Sequence, residues 1–155
     1  MHPGSDYLTA QVLTATPQRL HLMLIDGAVR FAQQAKQAWN DPSRRQAREE
    51  ALTRCVRITG EMLACIRGSR LPAGEQFVTV YAWLFRTVTE AKLLGDERKL
   101  DDALELLAVE RETWRLVCER FGSEVADDGR RLPETSPPAA AVGQELPAGG
   151  LSLEA

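Results

Sequence analysis

Residues 96–122 read DERKLDDALELLAVERETWRLVCERFG, and their spacing decides the fold. Leu100, Leu104, Leu107, Arg111, Trp114, Cys118 and Phe121 recur at alternating steps of four and three, which puts them on one side of an α-helix with a single polar member. Asp96 supplies an N-cap and Gly122 a stop. Upstream, Phe77, Val80, Tyr81, Leu84, Val88 and Ala91 make a second such face that ends at Gly95. The loop Leu71-Pro72-Ala73-Gly74 separates it from a helix that starts at Asp41-Pro42 and reaches Gly68, with Ala47, Ala51, Cys55, Ile58, Met62 and Ile66 on one side. Thr16-Pro17 opens the first long helix, since Thr is a good N-cap and Pro is favoured at N1. Leu20, Leu24, Ala28, Phe31, Ala35 and Ala38 carry that helix to about Trp39.

Four amphipathic helices of about 20–27 residues with short connections predict an all-α, antiparallel up-down-up-down four-helix bundle over residues 16–122. Residues 1–15 precede the Thr16-Pro17 start and form an N-terminal strap or short helix. Residues 123–155 are rich in Pro, Gly and Ala, with six carboxylates (Glu124, Asp127, Asp128, Glu134, Glu145, Glu154) against Arg130 and Arg131, a net −4. That composition predicts a disordered acidic tail.

The formal charge of −3, from 19 basic and 22 acidic residues, is too mild and well mixed to predict nucleic-acid binding. No apolar run approaches the roughly 20 residues needed to cross a bilayer, and the N-terminus lacks the basic and apolar regions of a signal peptide. Cys55, Cys65 and Cys118 read as reduced, buried thiols in the cytoplasm. His21 reads as a partly exposed helix residue with no Cys or Ser motif beside it. No Glu-x-x-His pair, phosphate loop or convergent ligand set occurs. The expectation is a protein that is not an enzyme and has no catalytic residues, no metal, no cofactor and no small-molecule substrate.

The informative feature is apolar surface beyond what one core stripe needs. On the first long helix Leu22, Ile25, Val29 and Ala32 lie about 120–200° round from Leu20, at about 100° per residue. On the last, Leu106, Val109 and Leu116 sit roughly opposite the seam; on the third, Val78, Ala82 and Phe85 flank Phe77. Scattered surface apolars, or cover by a fifth element of the chain, would explain these groups blandly. An exposed groove for an amphipathic partner explains them sharply. Gly27, costing about 1 kcal/mol relative to Ala inside a helix, suits either a close helix approach or room for a partner backbone.

Tyr7-Leu8, Val12-Leu13-Thr14-Ala15-Thr16-Pro17, Leu20, Met23-Leu24, Asp26-Gly27-Ala28 and Phe31 resemble the signature of the flagellin export chaperone family FliS. The likeness is specific in the first 30 residues and architectural to about residue 121. Ile25 stands where a Tyr is common in the family, and the tail is longer than the family core. The resemblance implies a cytoplasmic export chaperone that binds the amphipathic C-terminal segment of flagellin, prevents premature polymerisation and delivers it to the type III export apparatus, with export gate components as further partners. The partner-binding set expected on this basis is Tyr7, Leu8, Val12, Leu13, Leu22, Ile25, Gly27, Val29, Val78, Phe85, Leu106, Val109 and Leu116. The alternative is a structural or regulatory bundle that uses the same grooves for self-association or another flagellar partner. Residues 1–15 are either a fixed strap that completes the core or, as in the family it resembles, a lid that yields a groove to the partner.

Overall fold

A computed structural model describes residues 3–71 and 73–130, excepting the side chains of 3, 11–14 and 122–130. Every regular element among them is helical: α1 (Pro3–Thr14), α2 (Pro17–Gln37), a 3₁₀ turn (Pro42–Arg44), α3 (Arg45–Arg67), α4 (Gly74–Leu94) and α5 (Glu97–Arg130). Local chemistry sets the starts. Thr16 is extended, and its hydroxyl accepts from Arg19 N at 3.2 Å just before Pro17. Asp41 Oδ1 accepts from Ser43 N (2.9 Å) and Ser43 Oγ (2.6 Å), which holds its carboxyl below the usual range. Asp96 Oδ1 accepts from Arg98 N. Gly95 ends α4 with a left-handed φ of 62°, a conformation that suits glycine.

The contacts divide the chain into a unit over Met1–Arg120 and a second over Phe121–Ala155. In the first, α2 packs on α3 and α3 on α4. The α5 helix closes the ring, joined to α2 by Lys36 with Glu97 and Asp101 and by Arg111 with Asp26, and to α4 by Lys99 with Glu90. In each neighbouring pair the partner numbers fall on one helix as they rise on the other, so neighbours run antiparallel. Exposed ion pairs of this kind add little stability; the buried side chains hold the bundle. Ile25, Leu52, Met62, Tyr81, Leu84, Leu100 and Leu107 are fully or almost fully buried, each worth about 1.5–3 kcal/mol of apolar transfer. Small residues let the helices close up: Ala28, Ala32, Ala35, Ala51, Ala91 and Ala103 are buried.

The end of the last helix differs from expectation. Gly122 does not end the last helix, which runs on through Arg130. A single interior Gly costs only about 1 kcal/mol, and the first downstream proline is Pro133. The disordered tail expected over 123–155 thus meets a helical backbone at 123–130, and 131–155 lie outside the described residues. Residues 3–14 form a helix, and Tyr7 and Leu8 on it are 67% and 56% exposed. A fixed strap that buries those two in the core is not what the fold contains.

Candidate functional site

The end of the bundle where α2 begins and α3 ends holds a cleft of about 460 Å³. Pro17, Leu20 and Leu24 of α2, Ile66 of α3, Leu71 of the following loop and Trp114 of α5 give it apolar walls, with Cys65, Ser69 and Arg70 at the rim. Its size and lining are those of a site that takes apolar side chains. A smaller hollow of about 330 Å³ shares Ile66, Ser69 and Leu71 and extends to Val78.

Behind the cleft wall lies a buried polar cluster. Tyr81, fully buried on α4, is its hub. Trp114 Nε1 donates to Tyr81 Oη at 2.8 Å, Tyr81 Oη donates to Glu110 Oε2 at 2.9 Å, and His21 Nε2 lies 2.8 Å from Tyr81 Oη. The rings are packed: His21 and Trp114 centroids are 4.2 Å apart, and Phe77 stacks 5.7 Å from Trp114 and 5.9 Å from Tyr81. Burial holds His21 down at about 4, so it is neutral at pH 7. Tyr81 is pushed above the ordinary phenol range by burial first, then by the Glu110 charge. His21 is therefore buried, not partly exposed, and its desolvation is offset by hydrogen bonding, as buried polar groups require.

The expected site residues divide into three groups. Ile25 is wholly buried in the core, which corrects its place on an exposed stripe. The buried line of α2 is His21, Ile25, Ala28, Ala32 and Ala35, midway between Leu20 and Val29, so the two apolar groups are flanks of one broad stripe facing α3, α4 and α5. Leu22, Val29, Val78 and Leu106 pack half-buried against that core, and Gly27 and Phe85 belong to the helix–helix seams. A Cβ on Gly27 would meet Ile58 Cδ1 at 3.2 Å, and one on Gly60 would meet Phe85 Cε2 at 3.3 Å. Gly27 thus lies where the Ile58 side chain of α3 comes close. Val29 also borders a groove of about 490 Å³ between α2 and α5, with Leu104, Ala108 and Arg111. Only Tyr7, Leu8, Val109 (62% exposed) and Leu116 (52% exposed) stand well out of the bundle. The side chains of Val12 and Leu13 lie outside the described residues.

The thiols do not behave alike. Cys55 is buried, its Sγ donating to Ala28 O at 3.6 Å, and burial pushes it up to about 12, so it is inert. Cys65 is exposed at the cleft and Cys118 is half-buried, which corrects the expectation of three buried thiols. Among the described residues no three His, Cys, Asp or Glu side chains gather to hold a metal, and no helix is long and apolar enough to cross a membrane. Three features had no place in the sequence expectations: the Tyr81–Glu110 pair, the exposed Trp83, and Leu93 and Leu94 exposed at the end of α4.

An antiparallel helical bundle with an apolar end cleft and grooves between its helices defines a binding scaffold. The family model described as Flagellar protein FliS matches residues 1–120, and the chain belongs to that family. It is a family of flagellar export chaperones. A search of curated proteins finds no match.

Proposed function

We propose that the chain binds the amphipathic C-terminal segment of flagellin in the cytoplasm, keeps it from polymerising and hands it to the export gate, without catalysis or a cofactor. The observation that carries this reading is the family match over residues 1–120. The end cleft supplies an apolar seat, and the α2–α5 groove on the same scaffold sets Val29, Leu104 and Ala108 among Gln33, Arg111, Glu112 and Arg115. Flagellin terminal segments assemble through their apolar faces, so a chaperone that covers such a face holds the subunit monomeric. The gross gain from burying it exceeds the cost of ordering the segment, and the difference sets the affinity. Release requires no nucleotide if the segment passes directly to the gate.

Within this reading the cleft takes the anchoring side chains of the partner. Val109 and Leu116 offer further apolar area on the outer face of α5, and α1, which carries the exposed Tyr7 and Leu8, closes over bound flagellin. The test is co-purification of the tagged full chain with flagellin in cells of its own organism. Flagellin accompanies the wild-type chain, and Leu20→Asp at the cleft wall loses it while the chain stays soluble. Equal recovery of flagellin by both chains would remove the cleft from the proposal.

A further inference from the structure

Three hydrogen bonds meet at Tyr81 Oη, and the phenol has one proton and two lone pairs to share among them. The Trp114 indole N–H can only donate, so it takes one lone pair. The Glu110 carboxylate can only accept, so it takes the proton. One lone pair is left for His21 Nε2 at 2.8 Å, which must then carry hydrogen. In the neutral ring this leaves Nδ1 bare, as an acceptor. Among the described residues no hydrogen bond reaches Nδ1, and the ring forms part of the cleft wall beside Leu20, Leu24 and Trp114.

We propose that the Tyr81–Glu110 pair locks His21 as the Nε2–H tautomer, so that Nδ1 is a hydrogen-bond acceptor in a mainly apolar cleft and selects a partner segment bringing an N–H or O–H donor among its apolar side chains. This inference rests on the export-chaperone reading for the partner's identity and adds the feature that the partner must present. Arg70 is the charged residue of the lining, so the segment that fits also carries a carboxylate at the rim. An apolar guest without a donor leaves Nδ1 desolvated and unpaired, and that penalty is what discriminates between guests. Tyr81 and Glu110 are positioning residues: they act through the proton on His21 without touching the guest.

The test is a long-range proton–nitrogen NMR spectrum of the ¹⁵N-labelled full chain at pH 7, with His2→Gln to assign the two imidazoles. The free chain shows His21 neutral with its proton on Nε2. Glu110→Gln, whose amide oxygen still accepts the Tyr81 proton, keeps that tautomer. Glu110→Leu lets Tyr81 donate to Nε2 and shifts the proton to Nδ1. The flagellin C-terminal peptide displaces the Nδ1 resonance of the wild-type chain, and Glu110→Leu binds it about tenfold more weakly, the scale of one lost buried hydrogen bond. An Nδ1–H tautomer in the free wild-type chain would overturn the inference, and so would a bound peptide that leaves the Nδ1 resonance unmoved. A wild-type chain that binds no peptide would instead overturn the export-chaperone reading and, with it, the partner. The tautomer is read on the free protein first and decides the His21 lock in either case.

Discussion

Gly27 on α2 faces Ile58 on α3 so closely that a Cβ at Gly27 would sit 3.2 Å from Ile58 Cδ1. The glycine is there for the approach of two helices. Gly27→Leu, which overfills that seam, destabilises the bundle by about 1–3 kcal/mol. Ile58→Ala in the same chain recovers part of the loss, because it removes the atoms that Leu would strike. Urea unfolding of the two single variants and the double variant measures this coupling.

Ile25 and Val109 make the opposite pair. Ile25→Asp places an unpaired carboxylate in a fully buried site and costs on the order of 3–5 kcal/mol or more, enough to unfold most of the population. Val109→Asp changes a side chain that is largely exposed and stays within about 0.5 kcal/mol. Circular dichroism melts distinguish the two directly. A stably folded Ile25→Asp would contradict the core described for α2.

The fold was legible in the sequence wherever the period was clean. The α5 seam is buried at Leu100, Leu107 and Trp114 but not at its last member, Phe121, which is 45% exposed, and the Thr16-Pro17 and Asp96 starts and the Gly95 stop are where capping chemistry puts them. The candidate site was much less legible. His21 interrupts the apolar text of α2, so the centre of its buried line was passed over and Ile25 fell to an outer stripe. Glu110 carries the same lesson, since it stands between Leu107 and Trp114 on a buried face. An acid on one core stripe and a histidine on another are a sequence signal for a buried polar bridge, although only the packing shows that Tyr81 joins them.

The bridge makes stability depend on pH. His21 has an ordinary value of 6.5 and is held at about 4 by burial. Between those values the unfolded chain takes up a proton that the folded chain refuses, so stability is fully present above pH 6.5 and is lost as pH falls toward 4. The loss is about 3 kcal/mol. Urea midpoints at pH 7 and pH 4.5 measure it, and His21→Gln flattens the difference. Asp41 and Glu112, held below the usual carboxylate range by hydrogen bonds to Ser43 and Arg115 respectively, lose their contributions only at lower pH and do not mask the His21 step.

The chain cut after Arg120 retains the bundle. The first compact unit ends at Arg120 and the family match ends there too. Its thermal midpoint lies within a few degrees of the full chain, on a scale where about 1 kcal/mol shifts a domain of this size by some 4 °C. A drop of many degrees would show that residues beyond 120 complete the core.

The central claim is that this scaffold recognises flagellin. Its most direct test is calorimetric titration of the full chain with the C-terminal segment of flagellin from the same organism. The account predicts saturable one-to-one binding at micromolar concentration or tighter, with the negative heat-capacity change that marks apolar burial, and loss of that heat in Leu20→Asp. Absence of binding at micromolar concentrations by a folded wild-type chain would contradict it.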